Sequence, residues 1–481
     1  MSSHTPKVDL PHYDRTKVTP GIVHIGLGNF HRAHMAVYLD NLMNRGQALN
    51  WGILGAGVRA NDAAMRDAML AQDCLSTVIE LDPKGKRARR VGAMVGFIEV
   101  TPDNAPLIAA MARPEIRIVS LTVTEGGYFI STATGSFDET VAEIAADAAH
   151  PDRPATAFGA IVAALKLRRA SDTPPFTVMS CDNLPGNGTV TRAAVVGLAR
   201  LSDPALADWI DTHVSFPNGM VDRITPATGA RERALAASFG LADDPVPVTC
   251  EPFRQWVVED HFPQGRPPFE QVGVTFSDHV HAYEAMKIRI LNGGHAIIAY
   301  PGGLMDIEFV HEAMAHPLVS GFLDKVEREE VIPYVPEVPN TDLADYYSTI
   351  RARFSNTEIA DTERRLCFDG SNRQPKFIVP SIRDARAAGG KIEGLALVSA
   401  LWCRYCHGET ESGTAIPPND PNWDQLVALA RAAKSSPGLW LKQDAVYGDL
   451  GEDQVFASRF SYYLNALWSD GVAATLRDYL A

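Results

Sequence analysis

The sequence predicts an α/β fold, with alternating strands and helices over residues 1–278 and a mainly α-helical domain over residues 279–481. Three observations predict it. Short apolar runs rich in β-branched residues recur as far as residues 272–276, the first two of them followed by helical periodicity. The first run closes in glycines that open directly into a helix. Beyond Asp278 the pattern changes to helices almost alone, and that change sets the domain boundary.

A chain of 481 residues exceeds one ordinary core, so two or three domains are expected. Hydrophobic content of 46% and charged content of 21% describe a soluble globular protein. A net charge of −14 argues against an extended nucleic-acid or anionic-membrane surface. No apolar run approaches the roughly 20 residues of a spanning helix. Residues 1–20 are polar and lack the apolar core of a secretory signal, so a cytoplasmic location is expected. The six dispersed cysteines read as reduced thiols. Cys403-Arg404-Tyr405-Cys406-His407 matches the spacing of covalent haem attachment, but that chemistry needs an exported, oxidising context. The residues before it, 397–402, read as a buried helix carrying small core cysteines. No second ligand pair lies nearby for zinc, and no metal is expected.

Taken in order, residues 21–25 form an apolar run closing in Gly26-Leu27-Gly28-Asn29-Phe30-His31-Arg32, followed by helical periodicity through Ala33, Val37, Leu39 and Leu42. In that context backbone N–H groups and a helix N-terminus hold a pyrophosphate, which makes this a Rossmann-like dinucleotide-binding domain with Gly26, Gly28, Asn29, Phe30, His31 and Arg32 as candidate cofactor contacts. His31 stands where the fingerprint has its third glycine, and an ordinary tight turn would look the same. Residues 51–57 give a second strand and glycine turn, then a helix over 62–72. An acid here holds ribose hydroxyls and an arginine accommodates a 2′-phosphate. The chain offers Arg59, Asn61 and Asp62. Asp62 tips the balance to NAD without excluding NADP, and it is equally suited to capping the helix.

Residues 74–81 and 91–100 read as further strands, with a hairpin across Pro83-Lys84-Gly85. Residues 116–124 run into Glu125-Gly126-Gly127-Tyr128, placing Thr124 and Glu125 outside a strand's carboxyl end, where ligands of open α/β sheets collect. Residues 176–180 run into Cys181-Asp182-Asn183 and do the same for Asn183. It is either a neutral donor that polarises an oxygen or an Asx-turn residue capping a helix that begins near Thr189. Residues 216–226 read as a proline-bounded loop in which Asp222 binds hydroxyls or pairs with Arg223 at the surface. Strands recur at 247–249 and 272–276. Helices are then expected at 306–315, 341–354, 391–401, 423–433 and 454–467.

Residues 283–298 carry the chemistry. At 100° per residue with Lys287 at 0°, Glu284 falls at about 60°, His295 at about 80° and Asn292 at about 140°, one sector of a helix that is otherwise apolar and therefore buried. A buried charge is costly unless it is paired or its pKa moves, and desolvation brings a lysine towards proton exchange near neutrality. The plain alternative is a Lys287 that snorkels to the surface and pairs with Glu284. Gly293-Gly294 inside a helix costs about 1 kcal/mol per glycine, which close approach of a substrate, a cofactor or another helix would explain.

With the Gly26-x-Gly28-Asn29-Phe30-His31-Arg32-Ala33-His34 turn, the Ser180–Gly188 and Phe216–Pro226 segments, the Lys-x4-Asn-x2-His helix and Phe368-Asp369-Gly370-Ser371 in view, the chain resembles the polyol-specific long-chain dehydrogenase/reductase family over essentially its whole length. The resemblance implies an N-terminal nucleotide-binding domain, a mainly helical C-terminal domain, a cleft between them, and metal-independent hydride transfer with NAD. It implies a general acid/base at Lys287, amides at Asn183 and Asn292 that stabilise the developing alkoxide, and a hydrogen bond from His295 to the reacting oxygen. It further implies polyol contacts at Asp222, Arg365 and Arg373, and a proton path to water through Glu284. Asn61 departs from the pattern, because NAD-specific relatives carry an acid there. The implied reaction is oxidation of a sugar alcohol at C2, mannitol to fructose foremost, with arabinitol or sorbitol as secondary substrates. A hexuronate reductase of the same family, acting on fructuronate or tagaturonate, is the alternative, and a non-catalytic NAD-binding sensor is a more distant one. The expected partners are a polyol or ketose, with no nucleic acid and no membrane, and the chain is expected to be a monomer or small homo-oligomer.

Overall fold

The computed structural model describes residues 7–131 and 134–481. Its contacts divide the chain into two compact units, Met1–His281 and Ala282–Ala481. The first is α/β and the second mainly helical.

The strands are β1 (Val8–Asp9), β2 (Pro20–Ile25), β3 (Gly52–Ala56), β4 (Ser76–Glu80), β5 (Arg87–Val91), β6 (Met94–Phe97), β7 (Ile118–Leu121), β8 (Thr177–Ser180), β9 (Gly219–Asp222), β10 (Val248–Cys250), β11 (Gln255–Val258) and β12 (Thr275–Phe276). Five of them form a parallel sheet in the order β6-β3-β2-β7-β8. A parallel sheet is covered on both faces, and alternate side chains show it. Ile22, Ile118 and Met179 enter one core with the helix Met35–Met43, whereas Val23, Val119 and Val178 enter the other with the helices Ala157–Ala170 and Asn187–Ser202. From β2 the chain runs outward to β3 and β6, then crosses back to β7 and β8. The crevice at the carboxyl ends of β2 and β7 is therefore the topological switch point, where such sheets take their ligands.

Two smaller sheets, β1-β5-β4-β10 and β12-β11-β9, complete the first unit. The hairpin across Pro83–Gly85 is present, joining β4 to β5 in antiparallel register. The expected strand over 91–100 shrinks to β6, and β5 ahead of it is an unexpected strand. The sequence of β5, Arg-Ala-Arg-Arg-Val, hides it, because two of its three arginines pair with acids rather than face water: Arg89 meets Asp40 at 2.5 Å and Arg90 meets Asp244 at 3.2 Å. The expected loop over 216–226 contains β9, which pairs with the unforeseen β11. Residues 269–272 form a 3₁₀ turn, so only Thr275–Phe276 remains of the strand expected at 272–276.

In the second unit the expected helices appear as Val310–Ala315, Leu343–Phe354, Glu393–Tyr405, Trp423–Ala433 and Gln454–Ser469. Asp342 fixes the start of the second by accepting from the N–H groups of Ala344 and Asp345 at 2.7 and 3.0 Å. Asp453 does the same for the last. All six cysteines are free and buried, and burial pushes the Cys403 and Cys406 thiols well above the usual range. No helix among the described residues is long and apolar enough to cross a membrane.

Candidate active site

The glycine turn sits at the switch point. Gly26 takes φ +93°, and a Cβ there would stand 2.1 Å from the carbonyl oxygen of Thr122, so both conformation and packing demand glycine. Gly28 differs. Its φ of −102° is ordinary, and among the described residues no atom beyond its chain neighbours and the local helix backbone lies within 4 Å of where its Cβ would be. Neither fold nor packing requires glycine at 28, whereas the close approach of a pyrophosphate would.

The side chains that follow are committed to the fold. Asn29 donates to the carbonyl of Pro226 at 2.8 Å and to Thr228 Oγ1 at 3.0 Å, and it accepts from Arg32 at 2.7 Å. Arg32 is fully buried and also donates to the carbonyl of Val246. Phe30 stacks on His34 at 4.7 Å. His31 occupies the third-glycine position because another contact brings helix and strand together there: its ring stacks on His24 of β2 at 3.4 Å. The His24 ring nitrogens hydrogen-bond the Ser120 and Thr122 hydroxyls at 2.8 and 2.9 Å, and burial pushes its imidazole down to about 3. What Asn29, Phe30, His31 and Arg32 can offer a cofactor is therefore chiefly backbone.

Thr124 and Glu125 are exposed beside the switch point. Thr124 has φ +67° and ψ 165°, a region almost reserved for glycine. Asp182 imposes that conformation: its carboxylate accepts from the N–H groups of Val123 and Thr124 at 2.9 and 3.1 Å and from the Tyr128 hydroxyl at 2.7 Å. The sequence reading passed over Asp182 for its neighbour Asn183, and a loop aspartate after a strand carries no signal to mark it. At the end of β3, Asp62 is the first residue of the helix Asp62–Ala71 rather than the residue before it, and its Oδ2 accepts from the N–H groups of Val58 and Arg59 at 3.0 and 2.9 Å. The carboxylate shapes the turn that would face a ribose.

Asn183 is exposed in the loop after β8. The following helix starts at Asn187 with Gly186 before it, so Asn183 is not its N-cap residue. The anchoring amide is Asn187, which exchanges hydrogen bonds with the Gly219 backbone at 2.8 and 2.9 Å. Asp222 is buried at the end of β9. It does not form a surface pair with Arg223, whose side chain is itself buried and pairs with Glu80 at 2.7 Å.

In the second unit, Glu284, Lys287, Asn292 and His295 lie along one continuous helical segment. It is α-helical over Val280–Met286, turns π-helical over Lys287–Asn292, and resumes as α-helix over Gly293–Leu304. This corrects the 100° wheel, because an i→i+5 turn takes more residues per turn and so rotates less per residue between Lys287 and Asn292. Such turns are frequent at functional sites. Lys287 is 7% exposed and Glu284 is 6% exposed, so the lysine does not snorkel. The opposite face is anchored by Arg289, which reaches Asp384 at 2.6 Å and Ser381 at 2.8 Å.

Asn292 and His295 are half-buried. His295 stacks on Phe354 at 4.3 Å. Burial, and then the guanidinium charges of Arg365, Arg353 and Arg373, hold its imidazole well below the ordinary range, so it is neutral and keeps one N–H donor. The charges of Arg365 and Arg373 are thus near enough to act on His295, and Arg353 is a third cation absent from the sequence-based expectation. Arg373 donates to the carbonyls of Arg365 and Leu366 at 3.4 and 3.1 Å. The surroundings of Arg365 disfavour its charge, but a two-pronged pair with Asp361 outweighs them.

A glycine-closed parallel sheet, followed by a helical unit that buries a lysine one turn from a carboxylate and ahead of an amide and a neutral imidazole, defines a long-chain dehydrogenase of the polyol type. The sequence matches the mannitol dehydrogenase Rossmann domain over residues 20–271 and the mannitol dehydrogenase C-terminal domain over residues 279–468. The chain belongs to the mannitol dehydrogenase family. It is 67% identical to a mannitol 2-dehydrogenase of Cereibacter sphaeroides, across 99% of this chain and 100% of the relative. It is 42% identical to one from Aspergillus clavatus, across 98% and 96%. Among solved structures it resembles the Pseudomonas fluorescens mannitol 2-dehydrogenase ternary complex with NAD and D-mannitol, with a TM-score of 0.87 and 44% identity across 99% and 97% of the two chains. It also resembles a D-sorbitol dehydrogenase in substrate-free form, with a TM-score of 0.91 and 36% identity across 98% and 97%.

Proposed function

We propose that this chain is an NAD-dependent polyol dehydrogenase that oxidises mannitol to fructose at C2. The observation that carries the chemistry is the buried Lys287 on a π-helical turn that leads to Asn292 and His295. The likeness to an enzyme solved with NAD and D-mannitol carries the choice of substrate.

Bound NAD supplies the hydride acceptor, and the open space at Gly28 beside the switch point suits its pyrophosphate. The chain's own residues do the rest. As the C2–H bond breaks, leaving with its electron pair, the Lys287 amine takes the hydroxyl proton and the C2–O bond becomes a carbonyl. In reduction the same amine returns the proton. Asn292, Asn183 and neutral His295 donate to the oxygen on which charge grows. Glu284, one turn before Lys287, passes the proton on to water. Asp222, Arg365 and Arg373 bind the remaining hydroxyls.

Arg365 also favours a neutral polyol over a hexuronate. Its guanidinium fork is already occupied by Asp361, so a substrate carboxylate would compete with a bound carboxylate. The test is NADH formation with mannitol, sorbitol, arabinitol and mannonate, each with NAD and NADP. Mannitol with NAD should give the highest kcat/KM. Faster turnover of mannonate would replace this reading with the hexuronate one.

A further inference from the structure

Glu327 heads a second i→i+5 turn, Glu327–Val331, which continues the helix Pro317–Val326. Its side chain is fully buried, and neither carboxyl oxygen has a hydrogen-bond partner among the described residues. Burial pushes the carboxyl well above the usual range, so the group is a neutral acid. An apolar residue of similar volume would fill the same space without the desolvation penalty. The placement of Glu327 gives the acid a use. Its Oε1 lies 3.3 Å from where a Cβ on Gly294 would stand, and the Phe354 ring edge lies 3.3 Å from the same point. Gly294 sits between Asn292 and His295, and His295 stacks on that Phe354 ring. Carboxyl, glycine and ring form one contact at Gly294, which lies between the two proposed donors in the chain. The contact falls at the junction where the π-turn returns to α-helix, the place along the segment where helical register changes.

We propose that Glu327 is a positioning residue for the reaction: its carboxyl braces the Gly294 backbone against Phe354 and so fixes the directions in which Asn292 and His295 present their donors. The proposal rests on the roles given to those two residues above. A displacement of about 1 Å at such donors can cost about 100-fold in rate, so a brace with no contact to substrate can still govern kcat.

The experiment compares wild type, Glu327→Gln, Glu327→Ala, Gly294→Ala and the Gly294→Ala/Glu327→Ala double variant for kcat, polyol KM, NADH affinity and thermal midpoint. Glu327→Gln keeps shape and neutrality and should stay within about 3-fold of wild type in kcat. Glu327→Ala should lose at least about 10-fold in kcat, with polyol KM and NADH affinity changed less than about 3-fold. In the double variant the alanine methyl enters the vacated space, so kcat should exceed that of Glu327→Ala. Should Glu327→Ala fail to fold, Gly294→Ala carries the test through the same fall in kcat with NADH affinity intact. A Glu327→Ala or Gly294→Ala enzyme within about 3-fold of wild-type kcat overturns the proposal, as does equal loss in Glu327→Ala and Glu327→Gln. Wild type that fails to oxidise mannitol with NAD would instead overturn the functional reading, before any variant is compared.

Discussion

The Asp182 carboxylate accepts the N–H of Thr124 at 3.1 Å and thereby holds a β-branched residue at φ +67°, ψ 165° beside the nucleotide crevice. Backbone in that region costs a non-glycine residue about 1–3 kcal/mol. Thr124→Gly should therefore raise unfolding stability by about 1 kcal/mol, since part of the relief is lost to the unfolded chain's greater freedom. If the strained loop orders the coenzyme, the same variant should raise the KM for NAD several-fold. Equilibrium denaturation and coenzyme titration check the two halves separately, and a destabilised variant would contradict the strain argument.

Gly26 and Gly28 separate fold from ligand. Gly28→Ala meets open space at an ordinary φ, so its stability should stay within about 0.5 kcal/mol of wild type. Its NADH dissociation constant should rise at least about 10-fold, because the added methyl takes the room a pyrophosphate needs. Gly26→Ala should instead lose at least about 2 kcal/mol, because its methyl would collide with the Thr122 carbonyl. A Gly28→Ala protein that binds NADH normally would move the nucleotide elsewhere.

The stack of His24 and His31 is a titration element. Burial pushes His24 and His34 down to about 3 and His31 well below the ordinary range, whereas an unfolded chain protonates histidine near 6.5. With the folded pKa below the unfolded one, the contribution of each is fully present above about pH 6.5 and is lost as pH falls from there. The raised carboxyls of Glu327 and Glu363 act in the opposite sense, so the histidine effect is read from a variant. His31→Phe keeps an aromatic ring in the stack and cannot be protonated. It should gain stability relative to wild type as pH falls from 7 to 5. A difference independent of pH would show that His31 takes up its proton as readily in the folded protein as in the unfolded chain.

Much of the fold was legible because it is written in local patterns. The apolar run before Gly26, the glycine turn and the apolar helix around Lys287 each need only near neighbours to form. β5 was hidden, since two of its arginines, Arg89 and Arg90, are satisfied by Asp40 and Asp244, which lie far away in sequence. Asp182 escaped notice because its three donors come from another strand's closing turn. The π-turn at Lys287–Asn292 has no residue signature either. Gly293 and Gly294 pointed to a close approach, and the structure supplies it within the second unit, from the Phe377 carbonyl, Glu327 and Phe354.

The proposed reaction depends above all on the amine of Lys287 as the group that moves the substrate proton. Steady-state mannitol oxidation by Lys287→Ala, with NADH affinity measured alongside, tests it most directly. The expected result is a loss of at least about 100-fold in kcat/KM while NADH still binds, the lower end for removal of a general acid/base. A variant within a few-fold of wild type would contradict it.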